Sequence, residues 1–232
     1  MRFDGRPDKW VRDVQNLKRI GERRAGGGED CEPKELAVSA DETIRAATRA
    51  LEAGKIKLYL SLLDAVLAER NSSHEAAAHF MKGLAFEYGG DDVEADLSKA
   101  VRHYRHVVHL VEGEDSAPLL YLASALLRMG GASNEASALK AIRAAGEIKR
   151  SPEVDLAFAY YHESVDKKYD AAIRSYLRAA LRGRFSGFFG ASRVMRLQGH
   201  MIRAALTDTV RVIVGPFIFM LIGRRARSSF RS

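Results

Sequence analysis

Between Gly83 and Tyr104 the chain reads GLAFEYGGDDVEADLSKAVRHY, and this stretch restricts the fold more than any other. Its pattern is helix, tight turn, helix. Gly83, Ala85 and Ala100 are small residues at positions where two helices touch closely. Gly89 is placed to end the first helix, because the left-handed backbone that stops a helix costs least at glycine. Asp96, three residues ahead of Lys99, is placed to cap the second helix by accepting from its orphan N–H groups. Weaker copies of the pattern follow, so the hairpin is the unit of construction.

The rest of the chain divides on the same rule. Residues 34–53 and 55–70 form an expected hairpin pivoting on Gly54, with Leu58, Leu62, Leu63, Val66 and Leu67 along its second helix. It would be a divergent first repeat or the cap that an exposed solenoid end requires. Ser73 is the expected N-cap of a helix 74–88, whose partner runs from Leu97 to Val111. Ser116 opens a helix to Met129, with Pro118 tolerated in its first turn. Ser133 or Asn134 is expected to cap a partner reaching Lys149. Ser151-Pro152-Glu153 opens the next helix, to Ser164, and its partner starts near Tyr169 and stops at Gly183. A last pair spans 187–198 and 200–214. The openings at Ser73, Ser116, Ser151 and Gly187 lie 43, 35 and 36 residues apart, a period typical of helix-hairpin solenoids. With five prolines in 232 residues and few β-branched runs before residue 210, a sheet is disfavoured. The expected fold is all-α, an α-solenoid of stacked antiparallel helix pairs in which each hairpin buries the apolar face of its neighbour.

The run Gly83-x-x-Phe86-x-x-Gly89, then Val93-x-x-Asp96-x-x-Lys99-Ala100-x-x-His103-Tyr104, resembles the Sel-one-like repeats, a branch of the tetratricopeptide superfamily. Later copies keep Ala123, Gly130 and Ala141; then Ala157, Tyr160, Ala172, Tyr176, Ala179-Ala180 and Gly183; then Gly187, Gly190 and Gly199. The first copy departs in three ways: Asp91 or Asp92 stands for a second loop glycine, the loop has one extra residue, and His103 replaces an aromatic. The likeness covers residues 73–200. It implies a superhelix of helix pairs acting as a non-enzymatic adaptor for protein partners, with no shared catalytic residue. Bacterial members of that family are often tied to envelope, polysaccharide or signalling assemblies, and the same is the expectation here. In such solenoids the first helices line the concave side, which offers Tyr88, Tyr121, Tyr160, Tyr161 and His162 as partner-binding residues; the alternative for the tyrosines is packing between helices. Gly83, Phe86, Gly89, Asp96, Ala100, Tyr104, Ala172, Tyr176 and Gly183 carry the repeat structure.

Four segments follow from this reading: a charged arm and glycine-rich linker at 1–33, the hairpin at 34–70, the repeats at 71–200 and a tail at 201–232. Within the arm, Trp10, Val14, Leu17 and Ile20 fall on one helical stripe, so residues 8–24 are either a mobile charged arm, the simpler reading, or a docking helix. The linker AGGGEDCEP is no phosphate loop, since no Gly-Lys-Ser/Thr follows and no strand precedes. Its Cys31 is the single cysteine, which fits a reducing compartment. The opening MRFDGRPDKWVRDVQNLKRIGERR has no apolar leader. The expected location is cytoplasmic, peripheral to the inner membrane.

The tail carries the sharpest feature. From Arg182 onward there are ten arginines and one acid, Asp208, a balance of +9 in a chain of net charge +7. Val212 to Gly223, VIVGPFIFMLIG, has no charge, and arginines flank it on both sides. It is too short to span a bilayer and Gly215-Pro216 interrupts it, so an interfacial segment is expected. Arg211, Ile213, Phe217, Phe219, Leu221, Arg224, Arg225 and Arg227 would meet the membrane or a partner; the rival reading is a helix that caps the repeats or forms a dimer contact. An alternative function is a soluble nucleic-acid binder, with Arg182, Arg184, Arg193, Arg196 and Arg203 on phosphates and Phe185, Phe188 and Phe189 stacking on bases.

Other chemistry has little sequence support. His103, His106 and His109 step by three, which spreads the outer two about 120° apart on a helix, and no cysteine or suitably spaced carboxylate completes a ligand set. His74 and His79 face differently. Asp91, Asp92, Glu94 and Asp96 crowd one loop without calcium-loop spacing. The serines sit at helix starts. No catalytic site, metal or cofactor is expected.

Overall fold

The computed structural model describes residues 13–17, 19, 20, 23, 40–69 and 72–213. The chain forms two compact units, Met1–Ile148 and Lys149–Ser232. The first contains α1 (Ala40–Glu52), α2 (Ile56–Ala68), α3 (Ser72–Tyr88), α4 (Leu97–Val111), α5 (Ala117–Met129) and α6 (Ala132–Ile148), each packed on the next. The second contains α7 (Pro152–Ser164), α8 (Tyr169–Leu181) and α9 (Ser186–Leu197), again packed in order, followed by α10 (residues 201–213). The described residues are helices and their connections, with no strand and one isolated bridge between Gly90 and Val93. Within each unit this order is compatible with a helical solenoid. The unit boundary falls between α6 and α7, inside the stretch 71–200.

The turn that organises the first unit forms as its residues require. Gly89 has φ +65°, and a Cβ there would lie 2.7 Å from Ala95 N and 2.8 Å from Val93 O. Asp96 is extended, and its side chain accepts from Lys99 N at 3.0 Å, which starts α4 at Leu97. Ser151 caps α7 by accepting from Val154 N at 3.4 Å. Other caps differ from expectation. Ser73 lies inside α3, which starts at Ser72. Ser116 makes no side-chain cap, and Asp115 Oδ1 instead accepts from Ala117 N at 2.9 Å. Helix α6 starts at Ala132, so Ser133 and Asn134 stand in its first turn, where Asn134 donates back to Gly130 O. The loop acid Asp92 has a role at a distance: its carboxylate accepts from Ile56 N at 3.1 Å and Lys57 N at 2.9 Å, capping α2.

Close approach at glycine governs the packing. A Cβ on Gly83 would lie 2.6 Å from the Tyr104 ring, and one on Gly190 would lie 2.5 Å from the Tyr176 ring. Each glycine thus lets a tyrosine of α4 or α8 lie against the backbone of α3 or α9. Phe80, Tyr104 and Tyr121 form a buried aromatic cluster, with centroids 4.9–5.9 Å apart. Ala100 and Ala172 are buried, and Phe86 stacks on His103 at 5.6 Å. Gly183 follows α8 with φ +97°.

The mobile-arm reading of the N-terminus is overturned for the described part. Leu17 and Ile20 are buried, Val14 packs on the α1–α3 core, and Asp13 accepts from Tyr121 OH at 2.9 Å. The physical reason is the three-residue stripe itself: once a helix forms, its apolar side has a core to cover. Trp10 lies outside the described residues.

Replacing Gly89 by valine is expected to destabilise the protein by about 2–3 kcal/mol, because φ and backbone proximity both oppose a β-branched side chain. Urea unfolding checks this, and an unchanged midpoint contradicts it.

Candidate interaction surface

Helix α10 reads MIRAALTDTVRVI. Its inner side is small or polar. Ala204 is fully buried. Ser192 Oγ of α9 donates to Asp208 Oδ2 at 2.9 Å, and the Arg196 guanidinium pairs with the same carboxylate oxygen. Thr207 Oγ1 lies 3.6 Å from Met195 Sδ, and the Arg211 guanidinium carbon is 5.9 Å from the Phe189 ring centroid. Ala204, Thr207, Asp208 and Arg211 follow helical spacing on one side. The opposite side carries Ile202, Leu206, Val210 and Ile213, which are 79%, 62%, 43% and 58% exposed.

This reverses the usual arrangement, in which a helix turns its apolar stripe inward. Single exposed apolar residues are ordinary, but a continuous stripe calls for an apolar environment to receive it. Leu197 and Met201, in α9 and at the start of α10, are exposed as well. Arg203 is exposed, and Arg211 lies 4.0 Å from Asp208. Among the expected tail residues, Arg211 and Ile213 are therefore placed; Phe217, Phe219, Leu221, Arg224, Arg225 and Arg227 lie outside the described residues. No described helix is long and apolar enough to cross a membrane.

The expected concave-face residues do not form one set. Tyr121 is buried against Phe80 and Tyr104, and Tyr161 is buried, so neither is a surface anchor. The reason is helical geometry: Tyr160 and Tyr161 are consecutive and turn about 100° apart, so one goes inward. Tyr160 remains half-buried. Tyr88 is half-buried beside Arg128, whose guanidinium carbon is 5.8 Å from its ring centroid. His162 pairs with Asp166 at 3.1 Å and stacks near Phe158.

The arginines assigned to phosphate contacts are largely committed to carboxylates. Arg182 pairs with Asp155 at 2.7 Å, Arg184 with Glu153 at 2.9 Å and Arg193 with Glu163 at 2.6 Å. Arg196 pairs with Asp208. Phe188 is buried, while Phe189 is exposed.

A second cluster was not visible in the sequence. Glu75 and His79 of α3 meet His103 and His106 of α4. Glu75 Oε1 is 3.2 Å from His106 Nε2 and 4.0 Å from His79 Nε2, and His79 Nδ1 is 3.0 Å from His103 Nδ1. Burial lowers the pKa of His79 and of His103 to about 4, assisted at His79 by the neighbouring imidazoles and at His103 by Lys82 and Arg102. Both are neutral at pH 7. The available signal was Glu75-x-x-x-His79, one turn apart on α3; the register of α4 against it had to be known to complete the group.

No protein-family model matches this chain, and no curated protein is similar to it.

Asp208→Ala removes the carboxylate that Ser192 and Arg196 hold. Amide hydrogen exchange across residues 204–213 is expected to rise about tenfold, since a hydrogen bond to a charged group is lost. Unchanged exchange would contradict docking of α10 through this contact.

Proposed function

We propose that this chain is a non-enzymatic helical adaptor, held on an anionic membrane surface by α10 and the arginine-rich sequence after it, with its hairpins presenting a protein partner. The carrying observation is the outward apolar stripe Ile202, Leu206, Val210 and Ile213 on a helix whose polar side is taken up by α9. A helix of this kind lies in the plane of an interface with its apolar side in the acyl boundary. Each side chain removed from water contributes about 1.5–3 kcal/mol at full burial. The uncharged run continues to Gly223, and Arg224, Arg225 and Arg227 follow it. Each arginine near an anionic leaflet adds about 1 kcal/mol. We read the hairpins as Sel-one-like repeats on the strength of the Gly83–Tyr104 motif, whose glycine and tyrosine meet within one hairpin. The nucleic-acid alternative is less well supported, because four of its five arginines have carboxylate partners.

Flotation of the full-length chain with vesicles tests the proposal. The chain is expected to rise with vesicles containing phosphatidylglycerol at low salt, less so at high salt, and far less when Leu206 and Val210 are both replaced by glutamate. Those residues are exposed, so the melting temperature should hold. A chain that stays with the soluble fraction at low salt, or floats equally well as the double variant, defeats the membrane assignment. Concentration-dependent dimerisation lost in the same variant would assign the stripe to a second copy instead.

A further inference from the structure

Glu75, His79, His103 and His106 meet where α3 and α4 pack. Glu75 and His79 lie one helical turn apart on α3, so their side chains share a face. His103 and His106 approach from α4. The ring centroids of His79 and His106 are 4.2 Å apart, edge to face, and those of His79 and His103 are 5.2 Å apart. One ligand atom from each of Glu75, His79 and His106 fits within a span of 4.8 Å.

We infer that Glu75, His79 and His106 form a zinc-binding site, with Glu75 Oε1 and the Nε2 atoms of both histidines as ligands and His103 as the positioning residue behind His79. Zinc takes histidine nitrogen and carboxylate oxygen at about 2.0–2.2 Å, and tetrahedral angles then set its ligand atoms about 3.3–3.5 Å apart. The Glu75–His106 separation of 3.2 Å already matches, and the Glu75–His79 separation of 4.0 Å needs only a small side-chain rotation.

The remaining histidine, His103, supplies what a ligand histidine requires. With the shared proton on His79 Nδ1, that N–H donates to His103 Nδ1 at 3.0 Å, leaving Nε2 bare and aimed at the metal. An outer partner of this kind fixes the tautomer and ring orientation of a ligating histidine. His103 is itself held from behind by the stacked Phe86 ring.

The donor set selects the ion. Two imidazoles and one carboxylate suit zinc and neighbouring late transition metals, whereas calcium and magnesium prefer oxygen alone. Two neutral histidines and one carboxylate leave a bound Zn²⁺ with a formal charge of +1. The nearby cation Lys82 opposes binding, but its ammonium pairs with Asp64. His106 is exposed, so the fourth position opens to solvent and takes water. The ion bridges α3 to α4 and clamps the hairpin that begins the repeats.

The test uses the untagged, metal-stripped full-length chain, titrated with ZnCl₂ by calorimetry and with CoCl₂ by visible absorption. One equivalent should bind, cobalt should give the d–d bands of a low-coordinate site, and zinc should raise the melting temperature. His79→Ala and His106→Ala should each weaken binding about 100-fold or more, and His103→Phe about tenfold. His109→Ala, on the same helix outside the cluster, should change nothing. Because His106 is exposed, its alanine variant should keep the metal-free melting temperature; if it does not, Glu75→Gln gives the same reading without loss of bulk. Absence of binding to the full-length chain, or undiminished binding in the His79 and His106 variants, overturns the site.

Discussion

Burying Glu87 in an apolar setting without partners would cost several kcal/mol. The carboxylate is 1% exposed, and the packing of the first unit is arranged around keeping it satisfied. Tyr104 OH of α4 donates to Oε2 at 2.7 Å, and Arg128 of α5 donates to Oε1 at 2.8 Å. Three successive helices therefore meet at one side chain. Burial raises the pKa of Glu87, while the hydrogen bonds from Tyr104 and Arg128 pull against that shift. Tyr104 reaches the carboxylate because Gly83 leaves room for its ring. The second unit brings the same residue types together in a different arrangement: Tyr176 OH donates to Glu163 Oε2 of α7 at 2.7 Å, Arg193 of α9 binds both carboxylate oxygens, and Gly190, also of α9, admits the tyrosine ring. Glycine, tyrosine, glutamate and arginine thus meet in both units, with the residues dealt differently to the helices.

The last helix is attached by a different set of contacts. In the second unit Asp155 takes Arg178 and Arg182, Glu153 takes Arg184 and Glu163 takes Arg193, while Arg196 of α9 reaches out to Asp208 of α10. Helix α10 docks on α9 by Ala204 and Asp208, a polar seam, and its apolar residues are left on the outside. A core normally attracts the apolar side of its final element. Here the attachment is made by a carboxylate, and the apolar side is free for another environment. The proposed membrane role grows from that inversion, whereas the proposed zinc site grows from the α3–α4 contact and stands apart from it.

Much of the helix order was legible because it rests on local chemistry. Gly89, Asp96 and Ser151 each do what their own backbone and side chain favour, and the hairpin boundaries follow. Features made by two distant segments were not legible. Asp92 is an ordinary loop acid until α2 presents Ile56 and Lys57 N–H to it. Glu87 looks like a surface charge until Tyr104 and Arg128 close over it. Tyr121 and Tyr161 look like anchors until burial removes them. The histidine group needs the register of α3 against α4. The uncharged run 212–223 was visible, but the exposed stripe begins earlier, at Ile202, in a stretch whose charges hid its outward side.

The most direct test of the buried-carboxylate account is the stability of Arg128→Met across pH, measured by urea unfolding beside Glu87→Gln and the double variant. At neutral pH the loss of Arg128 should cost about 3–5 kcal/mol, because an ionised carboxylate is left buried without its cation. Since the native pKa of Glu87 is raised, its penalty is present above that pKa and disappears on acidification below the ordinary glutamate range, so the deficit should shrink as pH falls. The double variant should recover most of the loss. A deficit below about 0.5 kcal/mol at every pH, with additive single variants, would contradict the claim that one carboxylate ties these helices together.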